Sequence, residues 1–247
     1  MSTQAPLAVV TFDYWNTLCY EPDMDQRREL IADAWLTILT DAGVEADRAH
    51  LVDAYTAARG EYWTAWHENR QYTGEDAARH CLASLEGDGS LAHLTDALLD
   101  AFYGCAETAE VVPVDGVGDA LEAVRDAGLR VGIICDVGLM ASRYLRWHLQ
   151  RHDLLRFFDH WSFSDEVGVY KPDRRIFDHA LAGLGGVPPT AAAHVGDRRR
   201  TDVQGAIDMG MRAVRVTAVY DDDDPAQGPA GDSVISTYDE LLPALGL

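Results

Sequence analysis

The sequence predicts an α/β fold in which a doubly wound, mostly parallel sheet is interrupted after its first strand by an inserted bundle of α-helices. Three observations carry that reading. An apolar run at residues 7–10 reads as a buried strand, residues 21–108 hold amphipathic helical stretches with no strand between them, and from Val111 onward strand-like runs alternate with segments of helical period. The expected division is an α/β core from residues 1–20 and 109–247 and a helical domain from 21–108.

Taken in order, the first strand runs into TFDYWNTLCY (11–20), which puts the carboxylate of Asp13 at the strand end and Trp15 two residues later. The inserted stretches are RRELIADAWLTILTDAG, LVDAYTAARGEYWTAWHEN, GEDAARHCLASL and LAHLTDALLDAFYGCAET. In the second, Trp63, Trp66 and Arg70 stand at helical spacing and read as bundle core and rim. The sheet resumes where VGDALEAVRDAG, with Val117, Leu121 and Val124 on one face, leads into LRVGIIC. RRIFDHALAGL, with Ile176, Phe177, Ala180, Leu181 and Leu184 on one face, leads toward AAAHVGD. TDVQGAIDMG then starts a helix at Thr201 or Asp202, ends it at Gly210 and feeds the last strand, MRAVRVT. YDDDDPAQGPAGD (220–232), rich in Gly, Pro and Asp, reads as a solvated loop.

Composition excludes several classes of function. A chain of 247 residues, 47% of them hydrophobic, fills a globular core. Forty-one acids against twenty bases give a net charge of −21, which repels phosphate backbones and anionic lipid, so neither nucleic acid nor membrane is an expected partner. No segment approaches the roughly 20 continuous apolar residues of a membrane span, and MSTQAPLAVV lacks the basic start and cleavage site of a secretory signal. A cytoplasmic protein is expected. Cys19, Cys81, Cys105 and Cys135 show no metal-binding spacing and read as reduced thiols.

Nineteen of the twenty basic residues are arginine, and the single lysine is Lys171, in GVYKPDRRIF. A compact ammonium suits a point contact with an anion better than a planar guanidinium does. In open parallel sheets, ligands bind beyond the carboxyl ends of the strands. Asp13, Cys135 with Asp136, and Asp197 each end a strand there. With Lys171 and Thr17 they form a candidate site for a phosphate and a metal, in which carboxylates hold Mg²⁺ through oxygen and Lys171 faces the anion. Asp202 stands in the first turn of a helix, where the backbone N–H groups and the dipole favour any aspartate.

FDYWNTL (12–18), IICD (133–136), YKPD (170–173) and VGDRRRTD (195–202) resemble the four ordered motifs of the haloacid dehalogenase (HAD) superfamily, and the insertion is placed like its helical, C1-type cap. The resemblance covers nearly the whole chain. It implies a Rossmann-like core and a Mg²⁺-dependent hydrolase of a small phosphorylated substrate. On it, Asp13 is the nucleophile that forms an aspartyl intermediate. The backbone carbonyl of Trp15, with Asp13 and Asp197, holds Mg²⁺, Asp202 supports the metal from close by, and Lys171 neutralises the nucleophile and the substrate anion.

Two departures bear on the chemistry. Phosphatases of the family usually carry a second aspartate, the general acid and base, where this chain has Trp15, and an indole only donates its N–H. The second motif normally ends its strand with a Ser or Thr that binds a phosphoryl oxygen, where this chain has Cys135, a weak donor. The carboxylate of Asp136 either faces the site or caps the following helix. A replacement acid would come from Asp136 or from the cap, through Glu61 or His67. Three classes of function follow: a Mg²⁺-dependent phosphohydrolase, a carbon–halogen hydrolase, and a protein that keeps the fold and binds a phosphorylated ligand or partner without turning it over.

Overall fold

A computed structural model describes residues 6–85 and 91–247. The strands are β1 (Val9–Phe12), β2 (Cys19–Tyr20), β3 (Val112–Pro113), β4 (Arg130–Cys135), β5 (His160–Phe163), β6 (Ala192–Gly196), β7 (Arg212–Val216) and β8 (Ser233–Ile235). The helices are α1 (Gln26–Asp41), α2 (Arg48–His67), α3 (Gly74–Leu85), α4 (Thr95–Thr108), α5 (Val117–Asp126), α6 (Ser142–Arg151), α7 (Ser164–Val167), α8 (Arg174–Gly183), α9 (Gln204–Met209) and α10 (Leu241–Leu245). They divide between two units, Met1–Tyr20, Val112–Val137 and Leu149–Leu247 forming one, Glu21–Val111 and Gly138–His148 the other.

The first unit is the doubly wound α/β fold. Its six-stranded sheet has the order β5-β4-β1-β6-β7-β8, all neighbours parallel. All four residues of β1 are buried, as a central parallel strand covered on both faces requires. From β1 the chain builds outward through β4 and β5, then crosses back to β6 on the other side of β1. That reversal opens a crevice beyond the carboxyl ends of β4, β1 and β6. Helix α8 is capped by Asp173, whose carboxylate accepts the Arg175 N–H, and buries Ile176, Phe177, Ala180 and Leu181. Outside the sheet, β2 and β3 pair antiparallel, Cys19 opposite Pro113 and Tyr20 opposite Val112.

The second unit is helical. Trp35, Leu39, Leu51, Tyr55, Leu98 and Phe102 form its interior, where the Trp35 indole donates to the Leu98 carbonyl at 2.8 Å. Residues 138–148, expected with the α/β core, pack with this unit instead. The Arg143 guanidinium lies 4.7 Å over the rings of Tyr103 and Tyr144, and His148 Nε2 meets the Ala106 carbonyl at 2.9 Å. These contacts join sequence neighbours of the second motif to α4, which spacing along the chain does not reveal.

Two local expectations change. The helix expected to start at Thr201 or Asp202 starts at Gln204, preceded by a π-helical turn, Arg199–Val203, that turns the Asp202 side chain inward. The 220–232 stretch is not wholly solvated, because Asp222 is buried and accepts the Arg199 N–H at 2.8 Å. No described helix is long and apolar enough to cross a membrane.

Candidate functional site

Asp13 is the first residue past β1, and its N–H still donates to the Val195 carbonyl at 2.8 Å, so the carboxylate is fixed by the sheet itself. The chain then turns sharply. Asn16 takes a left-handed backbone (φ 56°), which Asn tolerates better than most residues, and Leu18 and Cys19 both donate to the Tyr14 carbonyl. Thr17 is buried in this turn. Its hydroxyl has no hydrogen-bond partner among the described residues, and its carbonyl accepts the Tyr238 hydroxyl at 2.6 Å.

Lys171 is 2% exposed. Its Nζ donates to Asp13 Oδ1 at 2.6 Å, to Asp202 Oδ1 at 2.6 Å and to the Ile134 carbonyl at 3.0 Å, which uses all three ammonium protons. Asp202 Oδ1 also lies 3.1 Å from His194 Nε2, and its Oδ2 accepts the Arg198 N–H at 2.9 Å. Gly196 makes this placement possible, because a Cβ there would stand 2.3 Å from Asp202 Cγ. Asp197, at the end of β6, is buried and accepts from Asn16 Nδ2 at 3.2 Å, with Arg198 Nε 3.4 Å away. Carboxylate oxygens of Asp13, Asp197 and Asp202 all lie within 4.8 Å of one another.

Three acids around one ammonium set the electrostatics. Burial pushes Asp13 well above the carboxylate range, Asp202 and Asp197 add to the shift, and Lys171 opposes it. Asp197 is pushed up to about 7 by burial and then by Asp202. Burial acts on Asp202 too, but Lys171 and His194 outweigh it and hold that carboxyl well below its usual range. For Lys171, burial favours the neutral amine, and Asp13 and Asp202 more than reverse it. Counted as ionised groups, the three carboxylates and the ammonium carry −2, a balance that suits a divalent cation held through oxygen.

Of the charged residues singled out in the sequence, Asp13, Asp197, Asp202 and Lys171 therefore come together. Cys135 ends β4 and is fully buried, and burial, then Asp13, push its thiol well up. Asp136 Oδ1 accepts the Lys171 backbone N–H at 2.9 Å, fastening the lysine segment to the end of β4. The Trp15 indole N–H donates to the Val137 carbonyl at 3.2 Å. In the helical unit, the two candidate acids are engaged, Glu61 with Arg70 at 2.9 Å and His67 Nδ1 with the Trp63 carbonyl at 2.7 Å, and Trp66 is buried as its helical spacing implied. Sequence reasoning missed Thr11, Asn16, His194 and Tyr238. Only His194 carried a signal, as a polar residue inside the apolar run AAAHVGD.

A family model for haloacid dehalogenase-like hydrolases matches residues 7–210. The chain is 33% identical over 129 residues to the pyrimidine 5'-nucleotidase YjjG of Escherichia coli (strain K12), covering 52% of this chain and 55% of that protein. It is 34% identical over 124 residues to the glyceraldehyde 3-phosphate phosphatase of Methanopyrus kandleri, covering 50% of this chain and 52% of that one. The chain thus spans about half the length of the curated relatives it matches. Among solved structures, the HAD-hydrolase YfnB of Bacillus subtilis bound to magnesium is similar in fold, with a TM-score of 0.67 at 18% identity over 98% of this chain and 100% of that one.

Proposed function

The chain belongs to the haloacid dehalogenase-like hydrolases, and from that premise we propose that it is a Mg²⁺-dependent phosphohydrolase acting on a small phosphorylated metabolite through an aspartyl intermediate on Asp13. The observation that carries the reading is the buried cluster of Asp13, Asp197, Asp202 and Lys171 at the switch point of the sheet. Its hard oxygen donors and residual negative charge fit Mg²⁺. Asp13, Asp197 and the Trp15 carbonyl would hold the ion, and Asp202, whose oxygens already accept from Lys171, His194 and Arg198, would support it from behind. When bound, Mg²⁺ would offset negative charge on the phosphoryl oxygens.

The chain's own groups do the rest. Lys171 grips Asp13 Oδ1, leaving the other carboxylate oxygen to attack phosphorus. As the Asp13 O–P bond forms, the bond from phosphorus to the leaving oxygen breaks and its electron pair departs with that oxygen. Water then attacks phosphorus, the Asp13 O–P bond breaks with its electron pair returning to the carboxylate, and both of the water's protons leave with the released phosphate. Position 15 supplies no proton to the departing oxygen, because an indole N–H is not an acid and this one is spent on Val137. General acid catalysis is typically worth about 10²–10⁴-fold. Acyl, enol and aryl phosphates, whose leaving groups are stable as anions, are therefore the preferred substrates, and alkyl phosphates such as sugar phosphates react slowly.

The test is phosphate release from matched aryl and alkyl phosphates with and without Mg²⁺. Aryl preference with Mg²⁺ dependence is expected, and Trp15→Asp should move the alkyl-to-aryl ratio upward by about 100-fold, the low end of an acid's contribution. Equal turnover of both classes with chemistry rate-limiting would instead point to a borrowed acid. No release from any substrate, with retained binding of phosphate esters, would favour a protein that binds without turnover.

A further inference from the structure

Building on that reading of the site, we propose that His194 is a positioning residue whose Nε2–H locks the Asp202 carboxylate and, through it, holds the Lys171 ammonium against Asp13. The imidazole has no exposed surface and sits in β6 among Ala192, Ala193 and Val195, all fully buried. A polar ring in such a place is tolerated only when its nitrogens are satisfied. Both are: Nδ1 lies 2.9 Å from Thr11 Oγ1 and Nε2 lies 3.1 Å from Asp202 Oδ1.

The direction of these bonds follows from their partners. An ionised carboxylate only accepts, so the nitrogen facing Asp202 carries the proton. In the neutral ring Nδ1 then accepts from the Thr11 hydroxyl, which lies closer to it than to the Ala193 carbonyl at 3.2 Å. Thr11 faces His194 directly in the β1–β6 register, so the sheet itself sets the tautomer. Phe177 packs edge-on against the ring, 5.5 Å between centroids at 81°. Space for that contact exists because Gly205 lacks a Cβ, which would stand 2.5 Å from Phe177 Cζ.

The consequence reaches the reacting group in two steps. Asp202 Oδ1 is shared by His194 and Lys171, while among the described residues Oδ2 holds only the Arg198 N–H. Without the imidazole donor the carboxylate can swing about its Arg198 contact, and the ammonium that follows it loses its place on Asp13. No hydrogen bond joins the ring to Asp13 or Asp197, so its effect passes through Asp202 alone.

Lys171 is the only lysine in the chain, so ¹⁵N-lysine labelling of the intact, Mg²⁺-loaded protein gives one side-chain ammonium signal that reports the cluster directly. The comparison is wild type, His194→Gln, which puts an amide donor near the Nε2 position, and His194→Leu, which puts none. Hydrogen bonds to charged groups contribute enough that His194→Leu should lower kcat on an aryl phosphate by about 10–100-fold, with KM little changed, and speed ammonium proton exchange by a similar factor. His194→Gln should restore both. In the wild type, ring ¹⁵N shifts should show a protonated Nε2, a measurement that needs no variant to fold. An unprotonated Nε2, or unchanged kcat and exchange in a folded His194→Leu, overturns the proposal while leaving the Asp13 reaction intact. Faster exchange in His194→Leu without phosphate release from the wild type would sustain the positioning role and remove the reaction.

Discussion

Opposite charges meet at nearly the same distance in the two units, yet the contacts differ in what they do. In the helical unit Arg48 holds Glu29 at 2.8 Å and Asp33 at 2.7 Å, and Arg79 holds Glu75 at 2.7 Å, all with side chains at least 39% exposed. In the α/β unit Lys171 meets Asp13 and Asp202 at 2.6 Å, with side chains no more than 8% exposed. Water and salt screen the first set, so those pairs contribute little to stability. The second set is barely screened and unbalanced, three acids against one base. Distance alone therefore does not separate the two sets; burial and the sign of the leftover charge do.

Asp13→Asn sharpens the contrast most. It removes one buried acid at constant shape, so phosphate release should fall on the order of 10⁴-fold or more, as for loss of a nucleophile. The unfolding midpoint should hold or rise, because a buried like charge has gone. A variant that keeps full turnover would end the covalent mechanism.

Lys171→Met acts in the opposite sense on the same cluster. Leaving three buried carboxylates without their ammonium should destabilise the protein by about 3–5 kcal/mol in denaturant titration. The deficit should shrink as pH falls and the acids take up protons. Lys171→Arg keeps the charge but not the point contact, and turnover should still fall severely. Near-normal kinetics in that variant would return Lys171 to the class of the surface cations.

The pH dependence of the metal-free protein tests the charge imbalance itself. Burial and the neighbouring Asp202 push Asp197 up to about 7 in the folded chain, from the usual aspartate value of about 3.9. Between those values the folded state holds a proton that the unfolded state has lost, so stability should fall as pH rises from about 4 to 7 and level off above. The raised Asp13 works in the same direction. Mg²⁺ should abolish the loss, and its own affinity should weaken below pH 7 as protons compete for Asp197. Denaturation midpoints from pH 4 to 8, in chelator and in Mg²⁺, give both. Stability that rises with pH in chelator would contradict the imbalance.

The smallest effect is expected in the helical unit. Arg48→Met should barely move the unfolding midpoint, and added salt should narrow the difference from wild type further. A drop comparable to that of Lys171→Met would erase the distinction between the units.

Much of the site was legible because it is local. Asp13 and Asp197 follow apolar runs that could only be strands, and Lys171 is conspicuous in a chain whose other bases are all arginine. The fold class was legible for the same reason, since helical and strand periods are written over ten residues or so. Asp202 was ambiguous because a helix start and a site ligand favour the same residue. Its inward turn depends on a π-helical turn and on the missing Cβ of Gly196, neither of which has a periodic signature.

The sequence by itself determined which residues end the strands, where the helical segment enters the chain, and that position 15 holds no acid. Only the tertiary structure decided where the hydrogen bonds go: Asp136 to the Lys171 backbone, the Trp15 indole to Val137, and His194 to both Thr11 and Asp202. The physical reason is range. Strand and helix signals arise from neighbours a few residues apart, whereas Thr11 and His194 lie 183 residues apart and meet only because β1 and β6 pair in one register. A one-residue slip of that register would turn every side chain of the strand to the opposite face, and with it the imidazole away from Asp202.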